Sequence, residues 1–225
     1  MPELPEVETV RRALETVVSG RRISQVKVRR RDLRTPIPDN FEKDVSGEKV
    51  ECVSRRGKYL VIELSNSKSM IIHLGMSGAL EFHHNPKIYE PGIHGHITFD
   101  FGDDLLLTFS DPRRFGQVYT IFSDQIELIK PFCDMGPEPL SDQFSPGSLT
   151  ESLGHKKGPV KSALMDQKVV AGLGNIYVCE ALFYAGISPK RTAGTIKGKR
   201  AEKLYRALVD VLNEAIEAGG SSLKD

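Results

Sequence analysis

No apolar run in this 225-residue chain approaches the roughly 20 residues needed to cross a bilayer, and its charged N-terminus lacks the signal-peptide pattern. A membrane partner is therefore not expected, and the reading is of a cytoplasmic protein. Cysteine is scarce. Cys52, Cys133 and Cys179 are scattered, odd in number and without CxxC spacing. That argues for a reducing compartment, and against a disulfide framework or a cysteine zinc site within this chain. An excess of one charge is also missing: 31 Lys and Arg stand against 30 Asp and Glu, for a net charge of +1. The overall balance does not announce a nucleic-acid binder. There is no internal repeat and no low-complexity segment.

The distribution of charge says more than the total. Arg21, Arg22, Lys27, Arg29, Arg30, Arg31 and Arg34 form one basic cluster, and Arg55, Arg56 and Lys58 a second. Lys190, Arg191, Lys197, Lys199, Arg200 and Lys203 form a third. Such clusters can track phosphates even when the total is neutralised elsewhere. Taken alone, a solvated surface of mixed charge is the simpler account of them.

Residues 5–19 read as a helix, with Val7, Val10, Leu14, Val17 and Val18 on one face and Gly20 as its stop. From about 22 to 122 the pattern changes to short β-type runs: Val26/Val28, 58–64, 70–74, 96–101, 105–109 and 117–122. Several short strands separated by Gly, Asn, Pro and Asp indicate an antiparallel sandwich or barrel. Pro131, Gly136, Pro137, Pro139, Pro146 and Gly147 mark 131–150 as a connection. Helices are expected beyond it at about 160–167, 175–185 and 198–218. The last carries an apolar stripe of Leu204, Leu208, Val211, Leu212, Ala215 and Ile216, and Gly219-Gly220 end it. The fold class is α+β in two domains. An antiparallel β-sandwich with a leading helix spans 1–130, and a helical domain spans 151–225.

The opening Met1-Pro2-Glu3-Leu4-Pro5-Glu6-Val7-Glu8 carries candidate chemistry. Removal of Met1 makes Pro2 a secondary amine at the N-terminus. Such an amine has an ordinary pKa of roughly 7.7–8.0, so part of it is neutral near pH 7. Attack on an aldehyde-like carbon gives an iminium ion, an electron sink. Glu3 is a proton carrier at the next position. Acidic residues also favour a helix's first turn, and on the opening alone the two readings stand level. Further on, Gly172-Leu-Gly174-Asn175 reads as a glycine turn into a helix capped by Asn175. Its helix N-terminus suits a phosphate. No strand precedes it and no third glycine follows, so it is not a dinucleotide fingerprint. Taken alone it reads as an ordinary connection between helices.

MPELPEVETV, RRGKYL at 55–60, HLGMSG at 73–78, SDPRRFG at 110–116 and DQKVVAGLGNIY at 166–177 occur in this order. Together they resemble the bacterial formamidopyrimidine-DNA glycosylases, which repair 8-oxoguanine, and the similarity runs over essentially the whole chain. The resemblance implies a β-sandwich domain, then a helix-two-turn-helix DNA-binding domain, with damaged double-stranded DNA as partner. It further implies a monomer working on the bacterial nucleoid. The opening and the Met/Arg/Phe set favour this branch over its sister, endonuclease VIII, which takes oxidised pyrimidines.

By the same resemblance, Pro2 attacks C1′ of the damaged nucleotide, and the Schiff base drives β- and then δ-elimination. Glu3 moves protons at the sugar, Lys58 acts in β-elimination and holds a phosphate, and Glu6 orders the site or supports the first turn. Met76, Arg113 and Phe115 match the residues that fill the void left by the everted base. Phe115 is the wedge and Arg113 the donor to the orphaned cytosine. His94, Lys156, Lys161 and Asn175, with Arg113, match DNA-contacting positions. His83, His84, His94 and His96 are not expected to hold a metal.

The family continues past Gly219-Gly220-Ser221-Ser222 into a zinc finger with four cysteines, whereas this sequence stops at Asp225. The expectation is no cofactor in this chain, and one zinc ion in the full-length family protein. A shortened chain is expected to fold without zinc but to bind and cut DNA poorly. A DNA-binding remnant with impaired catalysis is therefore the second hypothesis. A retained Met1 would leave the Pro2 nitrogen an amide.

Overall fold

The computed structural model describes residues 2–84 and 89–220; Met1, Ser221 and Ser222 lie outside the described residues. The chain divides into two compact units. The first holds residues 1–2 and Val7–Ile129, and the second holds Glu3–Glu6 and Lys130–Asp225.

Helix α1 (Leu4–Val18) leads the chain. In the first unit two four-stranded antiparallel sheets share one core. One sheet runs β1 (Gln25–Val28), β6 (Gly95–Asp100), β7 (Leu105–Ser110), β5 (Ala79–His84). The other runs β2 (Val50–Arg56), β3 (Tyr59–Leu64), β4 (Lys68–His73), β8 (Gln117–Phe122). Val7, Leu14 and Val18 of α1 join that core, beside Phe41, Leu60, Ile72, Phe99 and Phe109. The β2 edge is protected, because Glu15 accepts from the Val53 N–H at 2.6 Å and Arg11 donates to the Val53 carbonyl at 3.2 Å.

Two strands and a helix in this unit have no counterpart among the expected elements. In β2 the register shifts between Val50 and Cys52, so its buried residues, Val50 and Val53, stand three apart and period-2 alternation fails. Strand β5 is an edge strand whose Leu80 and Phe82 are only half-buried. Helix α2 (Phe41–Val45) is little more than one turn.

The second unit contains α3 (Pro146–Gly154), α4 (Val160–Leu164), α5 (Asn175–Tyr184) and α6 (Lys199–Glu217). Their core includes Phe144, Leu149, Val160, Tyr177, Leu182, Leu204, Leu208 and Leu212, together with Leu4. Residues 131–150, expected as a connection, belong to this unit, and buried Phe132 and Phe144 explain why. Pro146 is a helix starter rather than a breaker. It follows the N-cap Ser145, whose hydroxyl accepts from Ser148 N–H in a capping box. Helix α4 stops at Leu164, short of the expected 167. There Asp166 accepts from Lys168 N–H at 3.0 Å and turns the chain.

Candidate active site

In the second unit the Gly172-Leu-Gly174 turn is built around the N-terminal segment. Leu4 N–H donates to the Gly172 carbonyl at 3.0 Å. Gly172 has φ +81°, and a Cβ there would lie 2.7 Å from the Leu4 side chain. A Cβ on Gly174 would lie 2.4 Å from the Glu3 carboxyl carbon. The two glycines therefore exist to let Leu4 and Glu3 in. Gln167 closes the turn, donating to the Leu173 carbonyl at 2.9 Å and accepting from Gly172 N–H at 2.8 Å.

Glu3 is 2% exposed, and its carboxylate accepts from Ile176 N–H at 2.9 Å and Tyr177 N–H at 3.5 Å. It thus caps α5 from across the sequence, where the helix's partial positive charge meets its negative one. This corrects the expected cap. Gly174 occupies the N-cap position and Asn175 is the first helical residue, exposed, because the capping oxygens come from Glu3. It also corrects the phosphate reading of that helix end, since these two N–H groups already have an anion. Glu6 fixes Glu3 in turn: one oxygen accepts from Glu3 N–H at 2.9 Å and the other from the Tyr177 hydroxyl at 2.5 Å. The first contact is half of a capping box for α1. Tyr177 was not singled out in the sequence. Its place within GLGNIY was the only signal.

Lys156 pairs with Asp166 at 2.6 Å, which holds the Asp166 carboxyl below its usual range. Lys161 lies half-buried on α4.

In the first unit Gly57 and Lys58 form the two-residue turn between β2 and β3, flanked by the Arg56–Tyr59 pair. Gly57 has φ +57°, which suits the first position of a tight hairpin turn. Lys58 is 9% exposed. Arg55 braces the turn, donating to the Gly57 carbonyl at 2.8 Å and to Glu8 at 3.1 Å. Burial works against the Glu8 anion, but hydrogen bonds from Arg11, Arg12 and Arg55 hold its pKa below the ordinary value. Beside the turn, His73 is pushed down to about 4 by burial and by the positive charges of Lys58 and Arg34. Its Nδ1 accepts from Gly75 N–H at 3.1 Å, so the ring is neutral with its proton on Nε2.

The structure brings Met76, Arg113 and Phe115 together on two adjoining loops. Arg34, His73, Gly75, Met76 and Phe115 line a cleft of about 410 Å³. Met76 and Phe115 are each 41% exposed, unusual for large apolar side chains with a packed core nearby. The Arg113 guanidinium lies 4.9 Å from the centre of the Phe115 ring. Gly75, at φ +65°, is packed so closely that a Cβ would sit 2.5 Å from the Phe115 carbonyl carbon. Fully buried Asp111 ties the loops: it accepts from Ser77 Oγ at 2.5 Å and Gly116 N–H at 2.7 Å, and Ser77 Oγ accepts from Arg113 N–H at 3.0 Å. Asp111→Ala strands these buried donors and is expected to cost about 3 kcal/mol in a urea unfolding series. A loss under about 1 kcal/mol would show that the loops hold without it.

His94 is exposed, whereas buried His96 contacts the Asp111 carbonyl at 2.8 Å and His83 stacks on Tyr89. Among the described residues no three His, Cys, Asp or Glu side chains gather as a metal site. Much of the first basic cluster is tied to its own surroundings. Arg30 pairs with Asp32, and Arg31 with Glu42 at 2.6 Å. No described helix is long and apolar enough to cross a membrane.

Comparison with known proteins accounts for both units. Residues 1–118 match the formamidopyrimidine-DNA glycosylase N-terminal domain, and residues 135–225 match the H2TH domain of the same enzymes. The chain is 48% identical over 236 residues to a formamidopyrimidine-DNA glycosylase of a Caulobacter species, covering all of this chain and 82% of the relative. It is 49% identical over 225 residues to that of Acidiphilium cryptum, covering all of this chain and 80% of the relative. Among solved structures, the Lactococcus lactis enzyme bound to DNA containing an AP site matches with a TM-score of 0.91 at 34% identity. That match covers 99% of this chain and 83% of the other. The same enzyme with DNA containing Fapy-dG matches with a TM-score of 0.91 at 34% identity, covering 98% and 82%. With both units matched and near-half identity along its whole length, this chain belongs to the formamidopyrimidine-DNA glycosylase family.

Proposed function

We propose that this member of a DNA glycosylase family excises oxidised purines, 8-oxoguanine and formamidopyrimidines, from duplex DNA and cleaves the strand at the resulting site. The Pro2 nitrogen, freed by removal of Met1, attacks C1′ of the damaged nucleotide. The N-glycosidic bond breaks and the base leaves with a proton. The sugar ring opens, and the nitrogen lone pair forms the C=N bond of an iminium ion. Loss of a C2′ proton then expels the 3′ phosphate, a second elimination expels the 5′ phosphate, and hydrolysis returns the amine.

The observation that carries this reading is the fixing of Glu3. A carboxylate one peptide bond from the proposed nucleophile is buried, held by two helix N–H groups and braced through Glu6 and Tyr177. Such preorganisation suits a group that receives and returns protons at a reacting sugar. Lys58, embedded at its turn, is the cation for the flanking phosphate, and neutral His73 beside it leaves that charge undivided. Met76, Arg113 and Phe115 are the residues that enter the stack, and their exposure on a braced double loop supports that role. His94, Lys156, Lys161 and Asn175 complete the proposed DNA contacts, with Lys156 exchanging Asp166 for a phosphate.

The test compares two duplexes, one with 8-oxoguanine and one with a pre-formed abasic site, which needs no base expelled. Phe115→Ala is expected to slow nicking of the first by on the order of tenfold, for an unstacking term worth a few kcal/mol of which the wedge supplies part. Nicking of the second should change little. Equal losses on both would make Phe115 a structural residue.

A further inference from the structure

Among the described residues the third basic cluster has no ion-pair partner, unlike much of the first. Its members Lys190, Arg191, Lys197, Lys199, Arg200 and Lys203, and Arg206 one turn beyond them on α6, are all exposed, and none forms an ion pair among the described residues. Between 190 and 206 only Glu202 opposes them. Beside this cluster α5 ends on two bare aromatic side chains, Phe183 at 81% exposure and Tyr184 at 68%. Cys179, Leu182, Phe183, Ile187 and Pro189 line an apolar cleft of about 490 Å³, and the exposed Lys190 and Arg191 follow Pro189 directly in the chain. Through Gly186 it adjoins a second cleft of about 530 Å³, where Tyr184 stands with Lys203 and Arg206, and with Asp210 and Glu214 farther along α6. An apolar slot that adjoins Lys203 and Arg206 through Gly186, and whose Pro189 leads into Lys190 and Arg191, is a template for an acidic segment with an apolar side chain. None of these residues belongs to the proposed catalytic machinery.

We infer that this face of the second unit docks an acidic protein segment that ends in or carries a large apolar side chain. The apolar side chain fills the Leu182–Phe183–Ile187–Pro189 slot, and its flanking carboxylates meet Lys190 and Arg191 on one side and Lys203 and Arg206 on the other. Asp210 and Glu214 repel the acidic run from the far end of the second cleft, which fixes its direction. Two observations favour a peptide over single-stranded nucleic acid. The slot is mostly aliphatic, offering little to the polar edges of a base. The Phe183 and Tyr184 rings are edge-to-face at 73°, so they give no parallel platform for successive bases.

The experiment uses the full chain and a fluorescein-labelled peptide of six Asp and Glu residues followed by Leu-Phe. Anisotropy should show saturable binding that weakens as salt rises. Phe183→Ser should weaken it at least roughly tenfold, as loss of an anchor does, and so should the double change Lys190→Glu with Arg191→Glu. Both variants should keep the thermal midpoint and 8-oxoguanine nicking of the parent, because the altered side chains are exposed. Peptides with the acids changed to Ser, or with Leu-Phe changed to Ser-Ser, should bind at least tenfold more weakly. The inference is overturned by absence of binding, or by binding that neither variant reduces. It is equally overturned if a dT12 oligonucleotide loses its binding to Phe183→Ser while the peptide does not. Self-association abolished by Phe183→Ser, with no peptide binding, would instead assign the face to a second copy of the chain.

Discussion

Glu3→Gln is expected to lower excision of 8-oxoguanine by on the order of 10²–10⁴-fold, the usual worth of a positioned proton carrier, while leaving the protein folded. The separation follows from two tasks, the cap that the structure shows and the proton transfer proposed above. As a cap it presents oxygen to Ile176 and Tyr177 N–H, and a glutamine carbonyl can still accept from one of them. As the proposed proton carrier at the sugar, it would have no replacement in an amide. Glu3→Ala, in contrast, removes both oxygens. It should add about 1–2 kcal/mol of destabilisation from the lost cap, read as a lower urea midpoint for the whole chain. Single-turnover excision beside equilibrium unfolding distinguishes the two roles. If Glu3→Gln excises at nearly the parent rate, Glu3 is a helix cap only, and the proton-transfer assignment fails.

The second large effect is expected at Pro2. With Met1 removed, as proposed, its ring would restrict the N-terminal residue and offer a secondary amine, whose iminium forms without a further N–H to lose. Pro2→Gly keeps an amine but makes it primary and frees the backbone around it. A misplacement of about 1 Å at a reacting centre can cost roughly 100-fold, and a loss of that order in covalent-complex formation is expected. Folding should be indifferent, because Leu4 and Glu3 anchor the segment through their own contacts. A variant as reactive as the parent would show that another amine carries the chemistry.

How much of this was legible in the sequence varies with how local each cause is. The stripe on α1 and the long apolar face of α6 were readable because helix period and burial coincide there. Six of the eight described strands were readable from β-type runs. Strand β2 was hidden by its bulge, and its basic end read only as charge although Arg55 braces the Lys58 turn. Helix α3 was hidden because Pro146 stops a helix in most contexts but starts one after a Ser cap. At the site, the identity of Glu3 as a candidate was legible, but not its place at the N-terminus of α5. That contact joins residues 173 and 174 positions apart, and only the closeness demanded at Gly174 records it. Asp111 is a similar case, a carboxylate whose partners lie in two different loops.

Borohydride trapping asks directly whether Pro2 forms the proposed covalent bond to the damaged nucleotide. The parent protein is incubated with an 8-oxoguanine duplex in the presence of borohydride, which reduces an iminium ion to a stable amine. The cross-linked peptide is then mapped by mass spectrometry. The expected adduct is on Pro2, in protein that has lost Met1. An adduct mapped to Lys58, with Met1 still attached, would contradict it.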